Sequence, residues 1–181
     1  MKRFTILMNY FDDSKMVIDV FKSLVGNRLE VKEDEKYLIF DYEFDNIDDI
    51  NNLFLSLGAE LMVNIIGYTS SYEDRLKEEK EVALELIESL TSGMYDIKSA
   101  LLSLDEIKNK SRILELILES SGIDAEFIRS FSENNLNVSQ ASKNMFVHRN
   151  TMNYKIEKLY ELSGFDLKSF IDAYILYTLA K

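Results

Sequence analysis

The chain has 181 residues, 46% of them hydrophobic, and a formal net charge of −11, enough apolar material to fill one ordinary core or two small ones. It contains no cysteine and a single histidine, which excludes disulfides, thiolate zinc sites, iron–sulfur clusters, cysteine nucleophiles and multi-histidine metal centres. Only oxygen-ligand metals such as Mg²⁺ stay open, and the chain is expected to be soluble and cytoplasmic, because neither a signal sequence nor a membrane-length apolar run is present.

The first half alternates between strand and helix periods. FTILMNY reads as a strand, and SKMVIDVFKSLVG as a helix with Met16, Val17, Val20, Phe21 and Leu24 on one face and Gly26 as its stop. RLEVK and KYLIFDYE, separated by EDE, read as a hairpin, DNIDDINNLFLSLG as a second helix, and AELMVNIIGYTS as a further strand. The order is β-α-β-β-α-β, a ferredoxin-like pattern in which helices on one face of an antiparallel sheet bury both apolar sets.

SSYEDRLKEEKEVALELIESLTSG predicts a long helix, opened by a capping box at Ser70 and Glu73 and closed near Gly93, with RLKEEKE as a solvated face. YDIKSALLSLDEIKNK and SRILELILESSG follow as helical segments. The expected organisation is an acidic α/β sensing or dimerisation domain over 1–108, a helical connector over 109–122 and a helix-turn-helix domain over 123–181. The charge agrees with two unlike parts, because residues 123–181 carry seven basic and seven acidic side chains, which leaves the whole negative excess in residues 1–122.

After Gly122 the helices shorten. DAEFIRSFSENN is one, NVSQASKNM is another with Ser139 placed to cap it, and a break at Phe146 and Val147 leads into a helix beginning near His148. Two helices in such quick succession form a helix-turn-helix, whose second helix can enter the major groove. At 100° per residue Met152, Ile156 and Leu159 share one face, Asn150, Tyr154 and Lys158 lie opposite, and Thr151 and Asn153 flank them. Arg pairs with guanine O6 and N7, Asn with adenine N6 and N7, and Thr touches a thymine methyl or a phosphate; Arg149, Asn150 and Thr151 crowd the helix N-terminus, where exposed amides attract phosphate.

NVSQASKNMFVHRNTMNYKI, followed by ELSGFDL, resembles the C-terminal helix-turn-helix of the PucR family of bacterial transcriptional regulators, which includes the sugar-diacid regulators. That pattern is approximately N-V-S-x-T-A-x-x-L-x-V-H-R-N-T-L-x-Y-R-L, then E-x-x-G-x-D-L. The chain departs from it at Ala141-Ser142 for Thr-Ala, Met145 for Leu, Lys155 for Arg, and Asn153 where arginine is common, which keeps the small residue but thins the positive charge. By this resemblance Arg149, Asn150, Thr151 and Tyr154 face DNA and His148 is a helix-entry residue beside the phosphates. The full expected contact set is Ser139, Gln140, Lys143, His148, Arg149, Asn150, Thr151, Asn153, Tyr154, Lys155 and Lys158.

Several PucR-type regulators carry a degenerate GGDEF-like module, which the β-α-β-β-α-β order resembles. A cyclase of that kind needs two hairpin glycines for backbone approach to nucleotide and carboxylates to hold Mg²⁺. Here Lys32 and Glu33 replace the glycines before Asp34 and Glu35, and after the first strand the stretch MNYFDD supplies acids only at Asp12 and Asp13, later than a cyclase would want. The expectation is therefore an α+β, non-enzymatic transcription regulator without a cofactor, acting as a homodimer on double-stranded DNA, with a small-molecule effector and no membrane contact. A protein-interaction module that has lost DNA binding is the alternative, and a GGDEF-type cyclase a more distant one.

Overall fold

In the computed structural model, which describes residues 1–8, 14–26, 28–33 and 35–181, strand β1 spans Lys2–Met8 and buries six consecutive residues, Arg3 to Met8. Side chains alternate across a strand, so an unbroken buried run requires cover on both faces. The described residues divide into two compact units, Met1–Leu104 and Asp105–Lys181.

In the first unit β1 pairs antiparallel with β3 (Tyr37–Glu43) and β4 (Ile66–Thr69), β2 (Leu29–Glu33) adds to β3, and β5 (Gly93–Tyr95) runs parallel to β4. The sheet order is β2-β3-β1-β4-β5. Helices α1 (Ser14–Val25) and α2 (Ile47–Leu61) contribute Val17, Phe21, Ile50 and Phe54 to one core with Leu7, Leu38 and Phe40. Phe21 is its hub, with ring centroids 4.7 Å from Phe40 and 5.0 Å from Phe54. Phe4 and Ile6 point the other way, where Phe4 stacks on Tyr68 at 6.1 Å and helix α3 (Leu76–Ile87) packs on β1 and β4. Helices thus cover both faces, not one, because α3 supplies the crossover that the parallel pair β4 and β5 requires.

The predicted long helix is shorter than its periodicity suggested. Ser70 and Glu73 do not form a capping box: Ser70 Oγ accepts from the Phe4 amide, Glu73 accepts from the Lys2 amide, and the helix begins at Leu76. Gly93 is not a helix stop but the first residue of β5, at φ +150°. Gly67 in β4 permits close packing, since a Cβ there would lie 2.4 Å from Met94 Sδ and 2.8 Å from Leu7 Cδ2. Helix α4 (Ile97–Ser103) closes the unit with a capping box of Asp96 and Ser99.

The second unit is helical: α5 (Lys110–Leu118), α6 (Ala125–Glu133), α7 (Val138–Asn144), α8 (Arg149–Ser163) and α9 (Phe170–Ala180). Helices α5 and α6 pack on α9, α7 packs on α8, and α5 also meets α8. The segment 109–122, expected as a connector, therefore contributes Ile113, Leu114 and Ile117 to this unit's buried apolar set. The GFDL motif closes α8: Gly164 takes φ +72°, Phe165 and Leu167 are fully buried, and the Asp166 amide donates to Asp172 Oδ2 at 2.7 Å. No helix among the described residues is long and apolar enough to cross a membrane.

Candidate nucleic-acid interface

Local rules set the geometry of α7 and α8. The side chain of Asn137, not Ser139, caps α7, accepting from the amides of Ser139 at 2.9 Å and Gln140 at 3.1 Å. Ser139 and Gln140 are exposed within the helix that Asn137 opens. At the far end the Val147 amide donates to Ser142 O at 3.0 Å and the Phe146 amide to Lys143 O at 3.3 Å, the paired bonds of a Schellman motif. That motif puts Phe146 in the left-handed region at φ +54°, a position where glycine is ordinarily favoured by about 1 kcal/mol.

Two residues later His148 opens α8. Its Nδ1 accepts from the Asn150 amide at 3.2 Å, so the lone histidine is a helix cap, as its place at the helix entry suggested. The buried face is the expected one: Met152, Ile156 and Leu159 are all essentially inaccessible. Ala141 and Ser142 of α7 are buried as well, and their small size allows α7 to approach α8.

The remaining side chains face outward. Lys143, His148, Arg149, Asn150, Thr151 and Tyr154 are exposed, and Asn153, Lys155 and Lys158 are half-buried. Tyr154 keeps 62% of its surface in water. Lys155 lies over the Phe127 ring, with Nζ 5.6 Å from the centroid, so its stem is anchored while its charge stays at the surface. The first turn of α8 thus presents a guanidinium, an amide and a hydroxyl together at the positive end of a helix dipole, an arrangement suited to phosphate and base edges.

Two features carry no signal in the residue pattern. Phe146 is 97% exposed. In the first unit, Glu79 lies inside the stretch expected to be a solvated face, yet it is fully buried and accepts from the Ser71 amide at 2.6 Å, the Tyr72 amide at 2.9 Å and the Tyr68 hydroxyl at 3.0 Å. Burial holds its carboxyl above the ordinary value, against the pull of those donors, and pushes the Tyr68 and Tyr72 phenols up. Arg75 is also buried, its guanidinium 4.2 Å from the Tyr72 ring centroid. A charged run offers no sequence signal for which member turns inward.

Lys36 pairs with Glu88, and Tyr37 donates to the same carboxylate at 2.6 Å. Glu35 is exposed, while Asp34, Asp12 and Asp13 lie outside the described residues. Among the described residues no group of acidic or histidine side chains is clustered to hold a metal ion.

Residues 125–180 match the family described as the PucR C-terminal helix-turn-helix domain. The chain is 40% identical over 63 residues to YxkF, an uncharacterised protein of Bacillus subtilis, covering 35% of this chain and 21% of that one. It is 32% identical over 60 residues to the carbohydrate diacid regulator of Escherichia coli, covering 33% of this chain and 16% of the regulator, so the aligned part is a small fraction of either relative. A regulator of polyketide synthase expression from Bifidobacterium adolescentis shares the fold, with a TM-score of 0.52 at 13% identity over 99% of this chain and 78% of that one. The matched span contains α7 and α8, their caps Asn137 and His148, and the GFDL closure, so it is in residues 125–180 that this chain is similar to the PucR C-terminal helix-turn-helix domain.

Proposed function

We propose that the chain is a transcription regulator of the PucR and sugar-diacid-regulator type, in which α8 enters the major groove of duplex DNA and the first unit serves dimerisation or effector sensing. The observation that carries this reading is the division of α8 into a buried apolar face and an outward first turn of Arg149, Asn150 and Thr151. Arg149 and Asn150 are assigned to base edges, and Thr151 and Tyr154 to the groove wall. Ser139, Gln140, Lys143, His148, Asn153, Lys155 and Lys158 are assigned to the flanking phosphates and groove edges.

The first unit is read as a non-catalytic, degenerate GGDEF-like module. Its support is the element order β1-α1-β2-β3-α2-β4 with β1 between β3 and β4, together with Lys32 and Glu33 at the hairpin where a cyclase would carry glycines. Two copies of the chain would bind together, because one short helix reads too few base pairs to compete with the roughly 10⁶ or more nonspecific sites of a genome. The two copies of α8 would then lie about 34 to 36 Å apart.

Selection from random duplexes at low salt tests the reading. The enriched sequences are expected to be inverted repeats with half-sites one helical turn apart. Arg149→Ala should cost about 1 to 3 kcal/mol on the enriched site, whereas Lys143→Ala should weaken all sequences alike and lower the salt slope by about 1. Enrichment of no sequence would refute the reading.

A further inference from the structure

Phe146 is a large apolar side chain left 97% exposed on a backbone at φ +54°. Its amide and that of Val147 close α7, a task that glycine or asparagine performs with less strain. Nothing in the second unit covers the ring enough to account for its presence. Val147, its neighbour, is half-buried, and His148 follows as the cap of α8. Two residues of chain keep the Phe146 Cα within about 7 Å of the His148 Cα, beside the exposed Arg149 and Asn150.

We propose that Phe146 is a DNA-contacting residue, its ring packing on deoxyribose at the edge of the groove that α8 enters. This inference rests on the DNA-binding reading of α8 and adds to it a contact of a different kind. The polar residues of α8 supply hydrogen bonds and charge, whose strength falls with salt. A phenyl ring on the C–H surface of a sugar supplies apolar burial, which carries no counterion and discriminates little between sequences.

The test uses the full chain, its Phe146→Gly and Phe146→Tyr variants, and two fluorescein-labelled duplexes: a random-sequence pool and the most enriched sequence from selection. Phe146→Gly is expected to melt at the same temperature as the parent or higher, because glycine relieves the backbone. It should bind both duplexes about three- to tenfold more weakly, the loss expected from uncovering part of one ring. The slope of log affinity against log salt should not change, since no phosphate contact is removed. Phe146→Tyr, which keeps the ring, should stay within about twofold of the parent. Parent-like binding by Phe146→Gly overturns the proposal, as does a lower melting temperature, which would make the ring a support of the fold. A loss confined to the enriched duplex overturns it too, placing the ring on a base instead of a sugar. Failure of the parent to bind either duplex is a separate result, in which the DNA-binding reading itself falls.

Discussion

At the scale of single residues, Glu79 is a fully buried carboxylate held by donors from its own unit. Its two oxygens accept from two backbone amides and a phenol, so the charge is solvated by protein donors in place of water. Glu79→Gln keeps the volume but turns an NH₂ group toward the Tyr72 amide, and should cost about 1 to 3 kcal/mol for donors left without an acceptor. Because burial holds the carboxyl above its ordinary value, the folded state binds this proton more tightly than the unfolded chain does. Its contribution is therefore fullest below the unfolded carboxylate pKa and is lost as pH rises through the folded one. The half-buried Glu43 and the exposed Asp45, held low by Arg28 and by the N-terminal ammonium respectively, have the opposite slope, but they are present in both proteins and cancel in the comparison. Urea midpoints for parent and variant should show the parent's advantage narrowing with rising pH and then levelling; an advantage that widens would contradict the assignment. Periodicity could not single out Glu79, because Lys77, Glu78 and Glu81 around it do face solvent.

At the scale of elements, the caps of α7 and α8 separate stability from binding. Asn137→Ala removes the acceptor for two α7 amides and should destabilise the second unit by about 1 kcal/mol. His148→Asp is predicted to act differently. Aspartate is a strong cap and its charge suits a helix N-terminus, so thermal unfolding should move upward or stay, while on the proposed DNA-binding reading affinity for a duplex should drop, a carboxylate being set against phosphate. Thermal melts and duplex titrations of the same samples check both halves, and a parallel change in the two would sink the distinction. Helix α8 was legible in the sequence because Met152, Ile156 and Leu159 repeat at helical spacing after a clear break. The start of α3 was not, because Ser70 and Glu73 have the composition of a capping box but spend their oxygens on the amides of β1. β5 escaped notice for another reason: three residues beginning with glycine carry no periodicity, and only pairing with β4 makes them a strand.

At the scale of the whole molecule, the two units differ in how their cores are closed. In the second, Ile113, Leu114 and Ile117 of α5 are buried, so a fragment 105–181 should unfold cooperatively by itself, whereas 123–181 should show a markedly weaker transition. Circular dichroism on heating distinguishes the two, and equal transitions would make α5 dispensable. The helical C-terminal architecture was readable from the family-like motif. The cover of both sheet faces was not, since it depends on where α3 lands.

Helix α9 follows the other helices of its unit in the chain, and α5 and α6 both pack on it, with Arg129 donating to Ala180 O at 2.6 Å. During synthesis α7 and α8 leave the ribosome while the helix that completes their unit is still inside it. The surface proposed to read DNA is therefore exposed before it is rigid, and a nascent chain can assemble the sheet of its first unit well before that surface is complete. Chains arrested after Ser169 should accordingly be cut by protease in the second unit, and those arrested on a linker beyond Lys181 should resist; equal resistance would mean that α8 matures without α9.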